Sequence, residues 1–286
     1  MAAARPGGTP PPIHTEGTLA SGLYRQAWTV EDPVGAVVLV HGAHEHGGRY
    51  RHVAERLAAA GYATHAVDHP GHGRSPGRRG NIGSMAAAVE GVAELVRSAG
   101  EQHPAVPLFV YGHSLGGLIA LQYLTGTPDA RVTGAVVSAA ALDTSTANAV
   151  QRAVAPLLSR VLPDLGVLQL DVEAVSRDPE VVRAYRADPL NHNGRMVART
   201  GAELMTAALA MPRRLPSLTM PLLVLHGTAD RLVPPAASEV VRAHAGSPDL
   251  TLRTYEGLFH EPHNEPERDE VLADVVAWLD AHRPSS

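Results

Sequence analysis

The sequence predicts an α/β fold: a mostly parallel central sheet flanked by helices, with a helical cap inserted between two of its strands. Three observations predict it. Short continuous apolar runs alternate with amphipathic stretches over most of the chain, the rhythm of strands buried on both faces and of the helices that cross between them. From about residue 143 to about 215 that rhythm stops and only helical spacing remains. Residues 108–123 read as strand, sharp turn and helix, with Gly112-His113-Ser114-Leu115-Gly116 at the bend.

Taken in order, residues 1–15 read as a disordered tail; the Pro/Gly-rich start has no apolar core for a signal peptide. Residues 19–29 read as two short strands joined at Ser21-Gly22. Residues 35–40 are an unbroken apolar run ending at His41-Gly42. Residues 50–60 have helical spacing, with Val53 and Leu57 four apart and Gly61 as the stop. Residues 62–67 form the next strand, ending at Asp68. Ser84 caps an amphipathic helix that Gly100 should close. After the 108–123 unit comes a strand over 132–137. The helical block then holds helices over 147–161, broken or kinked near Pro156, over 179–187 and over 195–211, with an apolar loop at 163–170. Alternation returns with a strand at 222–225, a helix at 235–245, a strand at 250–255 and a helix at 266–282. The division that follows is a core of 16–142 and 216–286, with a cap of 143–215 over the carboxyl edge of the sheet, where the active sites of such sheets sit.

Composition narrows the function. The 286 residues, 44% of them hydrophobic, suffice for a sizeable core. A net charge of −5 argues against a general nucleic-acid surface. The chain has no cysteine, which excludes disulfides, zinc–thiolate sites and thiol catalysis. It has no lysine either; all 24 cationic side chains apart from histidine are arginine, a coding bias with no functional weight. No apolar run is long enough to cross a membrane. The expectation is a soluble, cytoplasmic protein, with contact to a membrane surface through the apolar cap stretch left open and oligomeric state undetermined.

The chemistry centres on Ser114. Glycine on both sides lets a strained turn lift its Oγ clear of the sheet, since a Cβ there would meet neighbouring backbone. The helix behind it aims free N–H groups at the place where acyl transfer develops negative charge. A serine nucleophile needs a base, and the base an orienting acid; in this architecture they follow in the order Ser, Asp or Glu, His. Asp230, in the loop after the 222–225 strand, and His260, after the 250–255 strand, fit. Glu256 and His263 are the rival acid and base. Leu115, after the nucleophile, and Ala43, past His41-Gly42, are the backbone oxyanion donors.

His41-Gly42-Ala43-His44-Glu45-His46-Gly47-Gly48-Arg49-Tyr50, Asp68-His69-Pro70-Gly71-His72-Gly73-Arg74-Ser75, Gly112 to Gly117, His226-Gly227-Thr228-Ala229-Asp230 and His260 together closely resemble the monoacylglycerol lipase family of α/β-hydrolases. The cap piece from Ser176 through Tyr185 to Leu190 is similar to the bacterial members. The likeness spans about residues 19–279. It implies an α/β-hydrolase fold, Ser114, Asp230 and His260 as triad, Ala43 and Leu115 as oxyanion donors, and a small lipid ester as substrate, with no cofactor or metal. It also implies that Glu45, Arg49 and His263, with Tyr185 nearby, hold the glycerol end. A broad carboxylesterase or a lysophospholipase would use the same triad.

Other readings weigh less. The histidines at 41, 44, 46, 65, 69 and 72 raise the question of a metal, but no H-E-x-x-H occurs and the first cluster lies in a turn that the hydrolase reading already explains. Gly71-His72-Gly73 lacks the third glycine and the acid of a dinucleotide loop. A non-catalytic member of the fold would be expected to lack part of the triad, and every part is present. A dehalogenase or epoxide hydrolase would carry aspartate where Ser114 stands.

Overall fold

A computed structural model describes residues 11–142 and 149–284. Ten strands and eight helices follow along them: β1 (Ile13–Thr18), β2 (Tyr24–Thr29), β3 (Gly35–Val40), α1 (Arg51–Ala59), β4 (Tyr62–Val67), α2 (Met85–Gln102), β5 (Leu108–His113), α3 (Leu115–Leu124), β6 (Val132–Ser138), α4 (Ala149–Val161), β7 (Gly166–Leu168), α5 (Pro179–Ala187), β8 (Met196–Val197), α6 (Ala198–Arg214), β9 (Leu222–Gly227), α7 (Ala236–His244), β10 (Leu250–Tyr255) and α8 (Arg268–Ala281).

Eight strands form one sheet in the order β1-β2-β4-β3-β5-β6-β9-β10. β1–β2 and β2–β4 pair antiparallel, and every later pair in the sheet is parallel. The alternation of side chains splits the core into two layers. Ala36, Val38 and Val40 of β3 pack with α2 and α3, while Val37 and Leu39 pack with α1 and α8. β3, β4, β5 and β9 are buried along their whole lengths, which explains the apolar runs of β3, β5 and β9; β4 also encloses Thr64 and His65.

Several boundaries depart from expectation. β1 begins at Ile13, inside the stretch assigned to the tail; residues 1–10 lie outside the described residues. It is a mostly exposed edge strand, Ile-His-Thr-Glu-Gly-Thr, ordered by pairing with β2 rather than by its own apolar content. Ser21-Gly22 is the junction expected between two strands, with Gly22 at φ +83°, but residues 19–20, expected to belong to the first strand, lie in that turn as well. Gly100 does not close α2; the helix runs two residues on, and a Cβ at Gly100 would press on the Arg131 guanidinium. The block between β6 and β9 contains two short strands, β7 and β8, where no strand was expected. α4 continues through Pro156, and the first two residues expected of this helix lie outside the described range.

The insertion between β6 and β9 is tied to the rest by polar bonds at several points. His46 meets Asp188 at 2.9 Å and Arg177 meets Glu265 at 2.8 Å. Asp164 accepts from Arg78 and Asn81 at 2.9 and 2.8 Å. The second half of α6, through Ala207, Ala208 and Met211, joins the core layer of α2 and α3, so the insertion shades into the core rather than ending at a hinge. Among the described residues no helix is long and apolar enough to cross a membrane.

Candidate active site

Ser114 sits between β5 and α3 with φ +54° and ψ −120°, a conformation that costs an ordinary side chain of order 1–3 kcal/mol. The flanking glycines permit it. A Cβ on Gly112 would lie 2.6 Å from the Gly116 carbonyl oxygen, and one on Gly116 would lie 2.1 Å from that of Val40. Strand, helix and the end of β3 therefore close on the turn at backbone distance. The Ser114 N–H donates to Ser138 O at 2.9 Å, which locks the turn onto β6.

Two loops at the same sheet edge bring the other groups. His260 Nε2 lies 2.9 Å from Ser114 Oγ, and its Nδ1 lies 2.7 Å from Asp230 Oδ2. The two loops can approach because Gly227 has no side chain: a Cβ there would lie 2.2 Å from Leu258 O. Asp230 Oδ1 accepts from the Leu232 and Val233 N–H groups at 2.8 and 2.9 Å. Burial opposes ionisation of Asp230, but the His260 charge and the converging hydrogen bonds outweigh it and hold the carboxyl well below its usual range. Burial likewise opposes a charged His260, yet the Asp230 carboxylate lifts its pKa above the ordinary 6.5. Glu256, the rival acid, is exposed on the turn after β10.

The N–H groups of Ala43 and Leu115 have no protein acceptor among the described residues, and both residues line the cavity that holds Ser114 Oγ and His260. Leu115 is the first residue of α3, where no intrahelical acceptor exists. Two spaces meet at this point. One is an apolar chamber of about 580 Å³, walled by Val154, Leu158, Val167, Met196, Leu204 and Met205 of the insertion. The other is a recess of about 40 Å³, lined by Glu45, His113, Asp171, Tyr185 and Glu261.

Behind the recess is a buried charge cluster. Arg49 forms a bidentate pair with Glu261, at 2.7 Å to each oxygen, and a further bond to Glu45. Glu45 also accepts from Gly42 N–H at 2.6 Å and Tyr50 hydroxyl at 2.7 Å. Burial opposes ionisation of Glu261, but Arg49 pulls it down to about 2. Burial, with Glu261 repulsion, pushes Glu45 up. Tyr185 packs its ring under Arg49 at 4.6 Å and donates its hydroxyl to His44 O. Of the four residues expected to meet the alcohol end, Glu45 and Tyr185 line the recess. Arg49 and His263 do not. Arg49 is engaged by the two carboxylates, and His263 is enclosed, stacked 4.8 Å from Tyr50 and edge-to-face with His113 at 4.8 Å, with both ring nitrogens unpaired and its pKa lowered by burial to about 3.

Glu261 was missed in the sequence reading. Its signal was thin: Arg49 lies 212 positions away, and Glu261 reads as one more loop acid beside His260. Glu45, His113 and Glu261 are the one group among the described residues compact enough for a metal ion, with candidate ligand atoms within 4.8 Å. Arg49 already bonds both of their carboxylates, so a cation would compete with a guanidinium.

A serine on a strand-to-helix turn, at the carboxyl edge of a mostly parallel sheet with a helical insertion above it, defines an α/β-hydrolase. Residues 31–267 match the family model described as serine aminopeptidase, S33. The chain is 44% identical to the monoacylglycerol lipase of Mycolicibacterium smegmatis, over 89% of this chain and 91% of that one. It is 33% identical to the human monoglyceride lipase, over 90% and 86%. The crystal structure of Paleococcus ferrophilus monoacylglycerol lipase superposes with a TM-score of 0.81 at 34% identity, over 91% of this chain and 99% of that one. The chain belongs to the monoacylglycerol lipase family of α/β-hydrolases and is a carboxylic-ester hydrolase.

Proposed function

We propose that the chain cleaves monoacylglycerols to fatty acid and glycerol through Ser114, Asp230 and His260. The observation that carries this reading is the inequality of the two spaces at Ser114. About 580 Å³ of apolar chamber suits one acyl chain, whereas about 40 Å³ of recess, with Glu45, Asp171, Tyr185 and Glu261 among its walls, suits only a small hydroxylated alcohol. Ser114 Oγ attacks the ester carbonyl while His260 Nε2 takes its proton. Asp230 keeps the Nδ1–H tautomer and stabilises the imidazolium. The Ala43 and Leu115 N–H groups receive the oxyanion, and losing one such donor costs about 10²–10³ in rate. His260 then protonates the departing glycerol oxygen. Water, activated by the same ring, releases the acid. The insertion serves as the cap that walls the acyl side.

A broad carboxylesterase or lysophospholipase would share this machinery. The carboxylates of Glu45, Asp171 and Glu261 at the recess disfavour a phosphate head group. The test is fatty-acid release by purified protein from a monoacylglycerol, a diacylglycerol, a triacylglycerol, a lysophospholipid and a short-chain ester at matched concentration. Preference for the monoacylglycerol supports the reading. Equal turnover of the short ester reduces it to a broad esterase, and turnover retained by Ser114→Ala removes the nucleophile.

A further inference from the structure

One histidine at the catalytic corner has no part in the chemistry above. His226 is the penultimate residue of β9, and its ring is fully buried. Its Nε2 faces two acceptors, Asp230 Oδ2 at 3.1 Å and Val233 O at 2.9 Å, so this nitrogen carries a proton. Its Nδ1 lies 2.6 Å from Ser238 Oγ, on the first turn of α7, and Ser238 is itself buried. Asp230 Oδ2 thus receives two imidazole N–H groups, one from His260 and one from His226, while Oδ1 receives two backbone N–H groups.

We infer that His226 is a positioning residue for the hydrolysis: clamped by Ser238 and the Val233 carbonyl, it holds Asp230 Oδ2 in the line of His260 Nδ1. This rests on the assignment of Asp230 and His260 above. The physical argument is one of stiffness. Rotation about the Cβ–Cγ bond carries both carboxylate oxygens together; two backbone N–H groups resist it at Oδ1, and the imidazole of His226 resists it at Oδ2, the oxygen that His260 uses. The same imidazole also has an electrostatic effect. An N–H directed at Oδ2 draws off part of the charge that would otherwise act on His260, and so moderates the basicity that Asp230 imposes. The groups facing His226 are Asp230 on its own loop, Ser238 from α7, His260 from the loop after β10, and His113, from the end of β5, close enough for its own ionisation to be disfavoured by His226. Asp230 is the one carboxylate bonded to its ring among the described residues.

The experiment compares kcat, KM and the pH dependence of kcat/KM for wild type, His226→Leu, His226→Gln, Ser238→Ala and Asp230→Asn. Active enzyme is counted by burst titration with an organophosphate. His226→Leu should lower kcat per titrated site by about ten- to a hundredfold, the scale of a misplaced catalytic group, and leave KM within about twofold. The acid limb should move to higher pH, because His260 then faces the full carboxylate charge. His226→Gln, which returns an N–H donor, should recover most of both changes. Ser238→Ala leaves Nε2 in place but frees Nδ1, and should move both in the same direction by less. If His226→Leu does not fold, Ser238→Ala decides the matter. Wild-type kcat and limb in His226→Leu, or in Ser238→Ala where the first does not fold, would overturn the inference. So would an activity loss matched by the loss of titratable sites with the limb unmoved, the mark of a purely structural residue. Asp230→Asn separates the two levels: an active Asp230→Asn removes the underlying assignment, whereas an inactive one beside an unaltered His226→Leu removes only the role of His226.

Discussion

The two spaces that meet at Ser114 differ in what stands behind their walls. The larger chamber is walled by aliphatic side chains of the insertion between β6 and β9, with few polar groups beyond Ser114 and His260. The smaller recess is walled by the loop after β3, the loop of His260 and insertion residues such as Asp171 and Tyr185, and it is backed by the Glu45–Arg49–Glu261 cluster, whose side chains are almost wholly enclosed. Apolar walls recognise volume and tolerate change, since dispersion and the hydrophobic effect are non-directional. A buried ion cluster recognises position and tolerates little, because each member left alone is an uncompensated charge. The chamber should therefore be adjustable and the recess brittle.

The largest expected effect tests that brittleness. Arg49→Met leaves two carboxylates buried without their cation and should destabilise the protein by about 3–5 kcal/mol in urea unfolding. A loss under about 1 kcal/mol would mean that the cluster behaves as a solvated surface pair and would erase the contrast. The same cluster predicts an acid response. Glu261 has a folded pKa of about 2 against an ordinary 4.5, so it adds stability that is fully present above 4.5 and lost as pH falls through about 2. Glu261→Gln should flatten the fall of stability in that window, measured by urea midpoints.

Next in size is a change to the chamber. A Cβ on Gly201 of α6 would meet only ordinary contacts, Met196 Sδ at 3.7 Å and Val167 Cγ2 at 3.8 Å, so a side chain there would project into the space. Gly201→Phe should shorten the chamber and leave the fold intact. Displacing even two methylenes, at about 0.8 kcal/mol each, lowers kcat/KM for long-chain esters roughly tenfold relative to short ones. An unchanged chain-length profile would mean that the acyl chain lies elsewhere.

A smaller effect concerns pH. In the proposed mechanism His260 is neutral when it accepts the Ser114 proton, and its raised pKa means that protonation sets in above pH 6.5 on the way down. The acid limb of kcat/KM should therefore lie above 6.5. A limb below that value would contradict the dominance of Asp230 over burial. The smallest effect is on the outer face of the insertion, where Leu157, Val161 and Leu162 are exposed at 65%, 66% and 51%. Serine at these three positions should change stability by less than about 0.5 kcal/mol each and leave short-ester turnover unaltered. If this face meets lipid, turnover of substrate presented in vesicles should fall; unchanged vesicle turnover would assign the face to solvent.

What the sequence by itself determined is the chain of local units. Apolar runs at β3, β5 and β9 mark strands buried on both faces, and their extents there depend on neighbours along the chain. Gly112 and Gly116 announce the turn around Ser114 because only backbone fits beside it. Order along the sheet edge then singles out the loops of Asp230 and His260. Tertiary structure alone decided the pairings. β1 is a polar edge strand, legible only once β2 lies beside it. Arg49 could have met any of several acids; packing brought it to Glu261, 212 positions away, and withdrew it and His263 from the recess. His226 reads as one more histidine until α7 and the loop of Asp230 enclose its two nitrogens. Backbone geometry is local and leaves a periodic trace in the sequence. The choice of partner for a buried charge or ring is made by distance in space, which no spacing along the chain records.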